Sequence, residues 1–209
     1  MAVKYRVHPE VAYEKVAGRN LLIAYGDALK ELLKTQPFEK VTVSSICEQA
    51  NMKRTSFYYH FLDKYDLVNW IFDTEYEAFL KEAFSVESLE PKGVPKGVTI
   101  WDLIRSTAEY FYQNAAFYQN IVSFTGQNSF LDHFRELLAP LLQEMLRDYH
   151  KDSTAMEFHI NFHSDAILAA LVRWLNDPKR VPPDTLIKLL QSCIRVSAEY
   201  LDTDFARLP

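Results

Sequence analysis

Two short runs, TVSSICEQA (42–50) and KRTSFYYHF (53–61), are joined through Ala50-Asn51-Met52, and this spacing constrains the fold more than any other feature of the chain. In the first run Thr42 is placed to cap a helix, with Ser45 following, and Val43, Ile46, Cys47 and Ala50 supply an apolar face. The run is long enough for about two turns. Asn51 supplies the left-handed backbone that a sharp connector needs. The second run predicts another short helix that buries Phe57 and Phe61 and leaves Lys53, Arg54, Thr55, Tyr58 and Tyr59 less constrained. Two short helices joined by a tight turn make a helix-turn-helix.

That motif has a specific use. Its first helix braces across a nucleic-acid backbone, while the second enters the major groove, which is ~12 Å wide. The second helix therefore needs small or long polar residues at its start and apolar anchors behind. Lys53, Arg54, Thr55 and Ser56, backed by Phe57 and Phe61, meet that demand. Tyr58, Tyr59, His60 and Lys64 add donors that reach phosphate oxygens, and Thr42 and Ser44 present hydroxyls at a helix start. The net charge of −5 at first argues against an anionic partner, but its distribution does not. Residues 1–65 hold ten Lys and Arg against seven Asp and Glu, a net of +3, and the remainder holds thirteen against twenty-one, a net of −8. A mildly basic head joined to an acidic body points to an anionic partner at one end.

The rest of the chain reads as helical. Residues 19–34 place Leu21, Leu22, Tyr25, Ala28, Leu29, Leu32 and Leu33 at helical spacing, and Pro37 closes that segment. Asp63 is placed to cap a longer helix over 64–84, with Leu67, Ile71, Glu75/Ala78 and Phe79 marking a mixed stripe. Residues 85–98, with two Pro and two Gly and no periodicity, mark the boundary region between head and body. Further helical runs cover about 99–113, 115–124, 129–149, 154–176 and 184–201. No convincing strand alternation appears, so the expectation is an all-α chain: a DNA-binding domain over 1–65 and a helical regulatory and dimerisation domain over 66–209.

At FEKVTVSSICEQANMKRTSFYYHFLDKYDLVNWIF, residues 38–72, the chain resembles the TetR/AcrR family of repressors. The run Phe57-Tyr58-Tyr59-His60-Phe61, followed by Lys64 and Leu67, is similar to that family's recognition-helix signature. The likeness extends over about residues 19–72; Asn51-Met52 stands where the family usually has Gly-Val. The wording of FYYHFLDKYDLVNWI is most similar to a subgroup named after regulators of dihydroxyacetone kinase operons. The resemblance implies a three-helix DNA-binding head and a helical body that dimerises. It implies that Lys53, Arg54 and Thr55 face base edges, that Tyr58, Tyr59, His60, Lys64 and Thr42 mostly meet phosphates, and that Arg19 approaches the backbone.

The function expected is a cytoplasmic transcription regulator, a repressor, that binds palindromic double-stranded operator DNA as a homodimer. A small-molecule effector or a protein co-regulator acting on the body would modulate it, with the helix at 64–84 as the lever. The alternative is a helical adaptor whose degenerate head acts only through protein contacts. The many aromatics of the body suit either a core and dimer interface or an effector pocket, and Tyr110, Phe117 and Trp174 are the residues expected to line any such pocket. Met156, Ile160, Ile167, Leu171 and Trp174, with Leu186, Leu189, Leu190, Cys193, Val196 and Tyr200, give two stripes: one buries inward, and the remainder suits a four-helix dimer interface. His159 and His163 share a helix face, with His150 and Asp152 nearby in sequence, a spacing that serves a metal or a polar surface. Without an HExxH or a nearby Cys the polar surface is favoured, and no metal or cofactor is expected. No Gly-rich phosphate loop or G-x-S-x-G elbow is present, so an enzyme is not expected. Cys47 and Cys193 read as free thiols, and the sequence offers neither a membrane span nor the apolar region of a secretion signal.

Overall fold

The computed structural model describes residues 12–87, 98–122, 129–146 and 153–201. Every regular element among them is helical: α1 (Ala12–Leu33), a 3-10 turn (Phe38–Lys40), α2 (Val43–Gln49), α3 (Arg54–His60), α4 (Lys64–Ala83), α5 (Ile100–Gln113), α6 (Ala115–Val122), α7 (Phe130–Leu146), α8 (Ser153–Asn176) and α9 (Pro183–Leu201). The all-α expectation stands. The 3-10 turn between α1 and α2 has no counterpart in the sequence reading, and α1 begins earlier than residue 19.

Local chemistry sets the ends of the short helices. Thr42 and Ser45 form a reciprocal cap: Ser45 N–H donates to the Thr42 hydroxyl oxygen at 3.1 Å, and Thr42 N–H donates to the Ser45 hydroxyl oxygen at 3.0 Å. At the other end of α2, Asn51 has φ 53°, the left-handed conformation expected of it. Its N–H donates to the Glu48 carbonyl at 3.1 Å, and Met52 N–H donates to the Cys47 carbonyl at 2.8 Å. This is the paired C-terminal motif that satisfies a helix's last carbonyls. Asp63 caps α4 by accepting from Tyr65 N–H and Asp66 N–H at 2.8 and 2.9 Å.

The described helices group into two compact units. The first gathers α1 to α4 with α6 from Ala116 on; the second gathers α5 with α7 (from Leu131), α8 and α9. Leu67, Val68 and Ile71 of α4 are buried, and α1 packs directly on α4. A Cβ on Gly26 would sit 3.3 Å from Ile71 Cγ1, so the small residue permits that close approach. Within the same unit Phe72 of α4 meets Tyr118 of α6 edge-on at 6.2 Å, and Tyr118 meets Phe130 at 5.1 Å.

In the second unit α5 packs against α9. Thr99 and Asp102 cap α5, and Arg105 pairs with Asp184 of α9 at 3.2 Å. Arg135 of α7 pairs with Asp165 of α8. Phe111 and Phe134 meet edge-on at 5.2 Å, and the Trp174 indole N–H donates to the Val181 carbonyl at 2.7 Å. Among the described residues no helix is long and apolar enough to cross a membrane.

Candidate DNA-binding surface

The site is built on the anchoring of α3. Phe57 and Phe61 lie fully or almost fully out of solvent. Phe57 meets Tyr25 of α1 edge-on at 5.2 Å and lies tilted against Phe61 at 5.4 Å, and Phe61 in turn meets Trp70 of α4 edge-on at 5.9 Å. Edge-to-face rings at these distances lock one another's orientation. A helix of seven residues cannot hold itself in water, so these rings supply what its length does not. Tyr25 also reaches the start of the helix: its hydroxyl donates to the Lys53 carbonyl at 3.5 Å, and burial pushes its ionisation upward.

The opposite edge of α3 faces water. Lys53, Arg54 and Thr55 are exposed, and Tyr58 and Tyr59 are 50% and 61% exposed. Lys53 is the N-cap residue and makes no side-chain cap. The Arg54 guanidinium lies 5.9 Å from the Tyr58 ring centre one turn on. Two cations, a hydroxyl and two phenols thus share one exposed edge, the arrangement a major groove requires. Thr42 is exposed and Ser44 half-buried at the start of α2. His60 is half-buried against Tyr59 at 4.9 Å, and burial lowers its pKa.

The Lys64 Nζ donates to the carbonyls of Phe38 at 2.7 Å, Val41 at 2.8 Å and, more weakly, Glu39 at 3.4 Å. It also lies 4.4 Å from the Phe38 ring centre. Burial lowers its pKa, opposed by the charges of Glu39 and Asp63. Tyr25 and the 76% exposed Leu62 beyond α3 were not singled out as parts of the site from the sequence. Tyr25 reads there only as one more apolar position on α1, since its hydroxyl meets backbone twenty-eight residues away.

The residues expected to line an effector pocket are not gathered in one unit. Phe117 belongs to the first, half-buried with the Lys30 ammonium 5.8 Å from its ring centre. Tyr110 and Trp174 are buried in the second unit. A cleft of about 720 Å³ in that unit is lined instead by Ile100, Trp101, Met145, Leu146 and Ile194, with Lys188 and Arg195 among its polar residues. His159 and His163 stack at 6.2 Å; among the described residues no group of three His, Cys, Asp or Glu comes together, and His150 and Asp152 lie outside them.

Residues 27–71 match the model of bacterial regulatory proteins of the tetR family, and residues 99–195 match that of a TetR-type transcriptional regulator C-terminal region. The chain belongs to the TetR family of bacterial transcription regulators. It is 25% identical over 146 residues to the transcriptional activator DhaS of the dhaKLM operon of Lactococcus lactis, covering 68% of this chain and 72% of that protein. In fold it is similar to a TetR regulator from Streptococcus agalactiae, with TM-score 0.62 and 21% identity over 87% of this chain and 97% of that one. The structure of a dihydroxyacetone kinase operon activator DhaS gives TM-score 0.55 and 19% identity over 84% and 97%. The TetR assignment makes this chain a DNA-binding regulator and not an enzyme, with its helix-turn-helix at α2–α3.

Proposed function

We propose that the chain is a cytoplasmic homodimer that binds a palindromic operator through the exposed edge of α3, with DNA contacts within residues 1–65 and regulation and dimerisation within 66–209. The observation that carries this reading is the separation of Phe57 and Phe61, buried, from Lys53, Arg54, Thr55, Tyr58 and Tyr59, exposed, on one short helix. In it Lys53, Arg54 and Thr55 meet base edges, and Tyr58, Tyr59, His60, Thr42 and Ser44 meet phosphates and position the helix. Two such heads related by a two-fold axis read half-sites ~34 Å apart or a multiple of it.

The dimer is supported by what α8 and α9 leave uncovered. Leu171 and Trp174 turn inward, whereas Phe158 and Phe162 are 64% and 54% exposed and stack at 6.2 Å; Leu189 of α9 is 55% exposed. A self-complementary interface buries such a face. A small-molecule effector is assigned to the cleft beside Trp101, whose apolar walls and nearby Lys188 and Arg195 suit an anion with an apolar body. The anionic dye anilinonaphthalene sulfonate tests this: its fluorescence should rise with the protein and lose that rise with Trp101→Ala, and an unchanged rise contradicts the assignment.

Occupying an operator blocks polymerase, so repression is the output assigned. Activation is the second reading, favoured by the likeness to the Lactococcus lactis activator. Placing the DNA upstream of this gene and its neighbours before a reporter separates them: deleting the gene raises expression under repression and lowers it under activation. A mobility shift with the same DNA tests binding itself, and no shift at any salt sinks the reading.

A further inference from the structure

Lys64 occupies a place that electrostatics alone disfavours. It is the first residue of α4, where the helix presents its positive end, and a cation is destabilised there. What offsets this is a cluster of acceptors from elsewhere in the chain. The carbonyls of Phe38, Glu39 and Val41 belong to the 3-10 turn and its cap, and all three take bonds from Nζ. An ammonium has three protons, and here there are three acceptors. The Phe38 and Tyr65 rings lie 4.4 and 5.5 Å from Nζ and cover it further.

The two segments joined in this way are the entry to α2 and the exit from α3. Residues 38–41 lead into the helix-turn-helix, and Lys64 follows directly after it. We propose that Lys64 is a positioning residue, a pin that joins the entry and exit of the α2–α3 pair and fixes the pitch of the exposed α3 edge, and not one of the phosphate contacts. An arginine does not replace it, because a planar guanidinium cannot converge on three carbonyls as a compact ammonium does. This inference rests on the DNA-binding reading above.

The two roles separate in the salt dependence of binding. Removing a phosphate contact weakens binding to all sequences alike and lowers the slope of log K against log salt by about 0.9. Removing a pin leaves the number of neutralised phosphates unchanged and disturbs base contacts. The experiment uses the full-length protein, a mixed-sequence duplex, and a duplex that the unmodified protein selects from a randomised pool. With Lys64→Met the slope on the mixed duplex should stay the same, while affinity for the selected duplex falls about tenfold or more, the size of one lost base contact. Lys64→Arg, which keeps the charge, should fail to restore it. A slope lowered by one unit with both affinities falling equally, or full restoration by Lys64→Arg, overturns the inference.

A second measurement needs no variant that might unfold. In the unmodified protein the Lys64 ammonium nitrogen resonance should be visible at neutral pH, because its protons are held by carbonyls, and it should not move when duplex is added. Its shift on adding duplex overturns the inference. Failure of the unmodified protein to bind any duplex instead overturns the DNA-binding reading, and this inference with it.

Discussion

Arg54 and Tyr58 stand one turn apart on the exposed edge of α3, and their substitution separates two kinds of contact. Arg54→Ala should cost about 1–3 kcal/mol of operator affinity and flatten the preference among bases, while Tyr58→Ala should weaken binding to every sequence alike. Titrations of matched and mismatched duplexes by fluorescence anisotropy distinguish them. Phe57, with no exposed surface, acts through the fold instead: Phe57→Ala should lower stability by about 3–5 kcal/mol in urea unfolding. His60 adds a pH dependence. Burial depresses its folded-state pKa, so the folded form favours the neutral ring; stability is lost as the pH falls through the ordinary histidine range, where the unfolded chain takes up the proton first. The melting temperature of His60→Gln should therefore fall less than that of the unmodified protein between pH 8 and pH 5. An equal fall contradicts the assignment.

Asn51 shows what one residue does for an element. Its left-handed backbone lets the carbonyls of Cys47 and Glu48 find donors and turns the chain from α2 into α3. Asn51→Gly should be neutral or slightly stabilising, and Asn51→Val should cost about 1–2 kcal/mol, read by thermal unfolding. Asn51, Thr42 and Asp63 were legible in the sequence because their partners lie within a few residues, where side-chain chemistry alone dictates the contact. Phe57 and Phe61 were legible because their spacing buries one face of a helix. Lys64 was not: its acceptors are backbone carbonyls twenty-three to twenty-six residues away, and backbone acceptors leave no trace in residue identity. The lining of the cleft was equally hidden. Aromatic residue type marks apolar bulk but not the direction it faces, so Trp101 borders open space while Tyr110 and Trp174 are buried.

The net charge is +3 over residues 1–65 and −8 over the remainder, and Phe158 and Phe162 stack at 6.2 Å with both rings exposed. Phe162→Glu should shift the protein from dimer to monomer by light scattering and weaken operator binding, because one head alone makes half the contacts. A stable monomer in the unmodified protein contradicts the dimer. Operator binding as proposed requires α3 to present its polar edge to a groove. The most direct test is a titration of the upstream intergenic duplex with the unmodified protein, Arg54→Ala and Tyr58→Ala, at several salt concentrations. The unmodified protein should bind with a steep salt dependence, and both variants should bind more weakly. If both variants bind the duplex as tightly as the unmodified protein, the edge of α3 is not the reading surface.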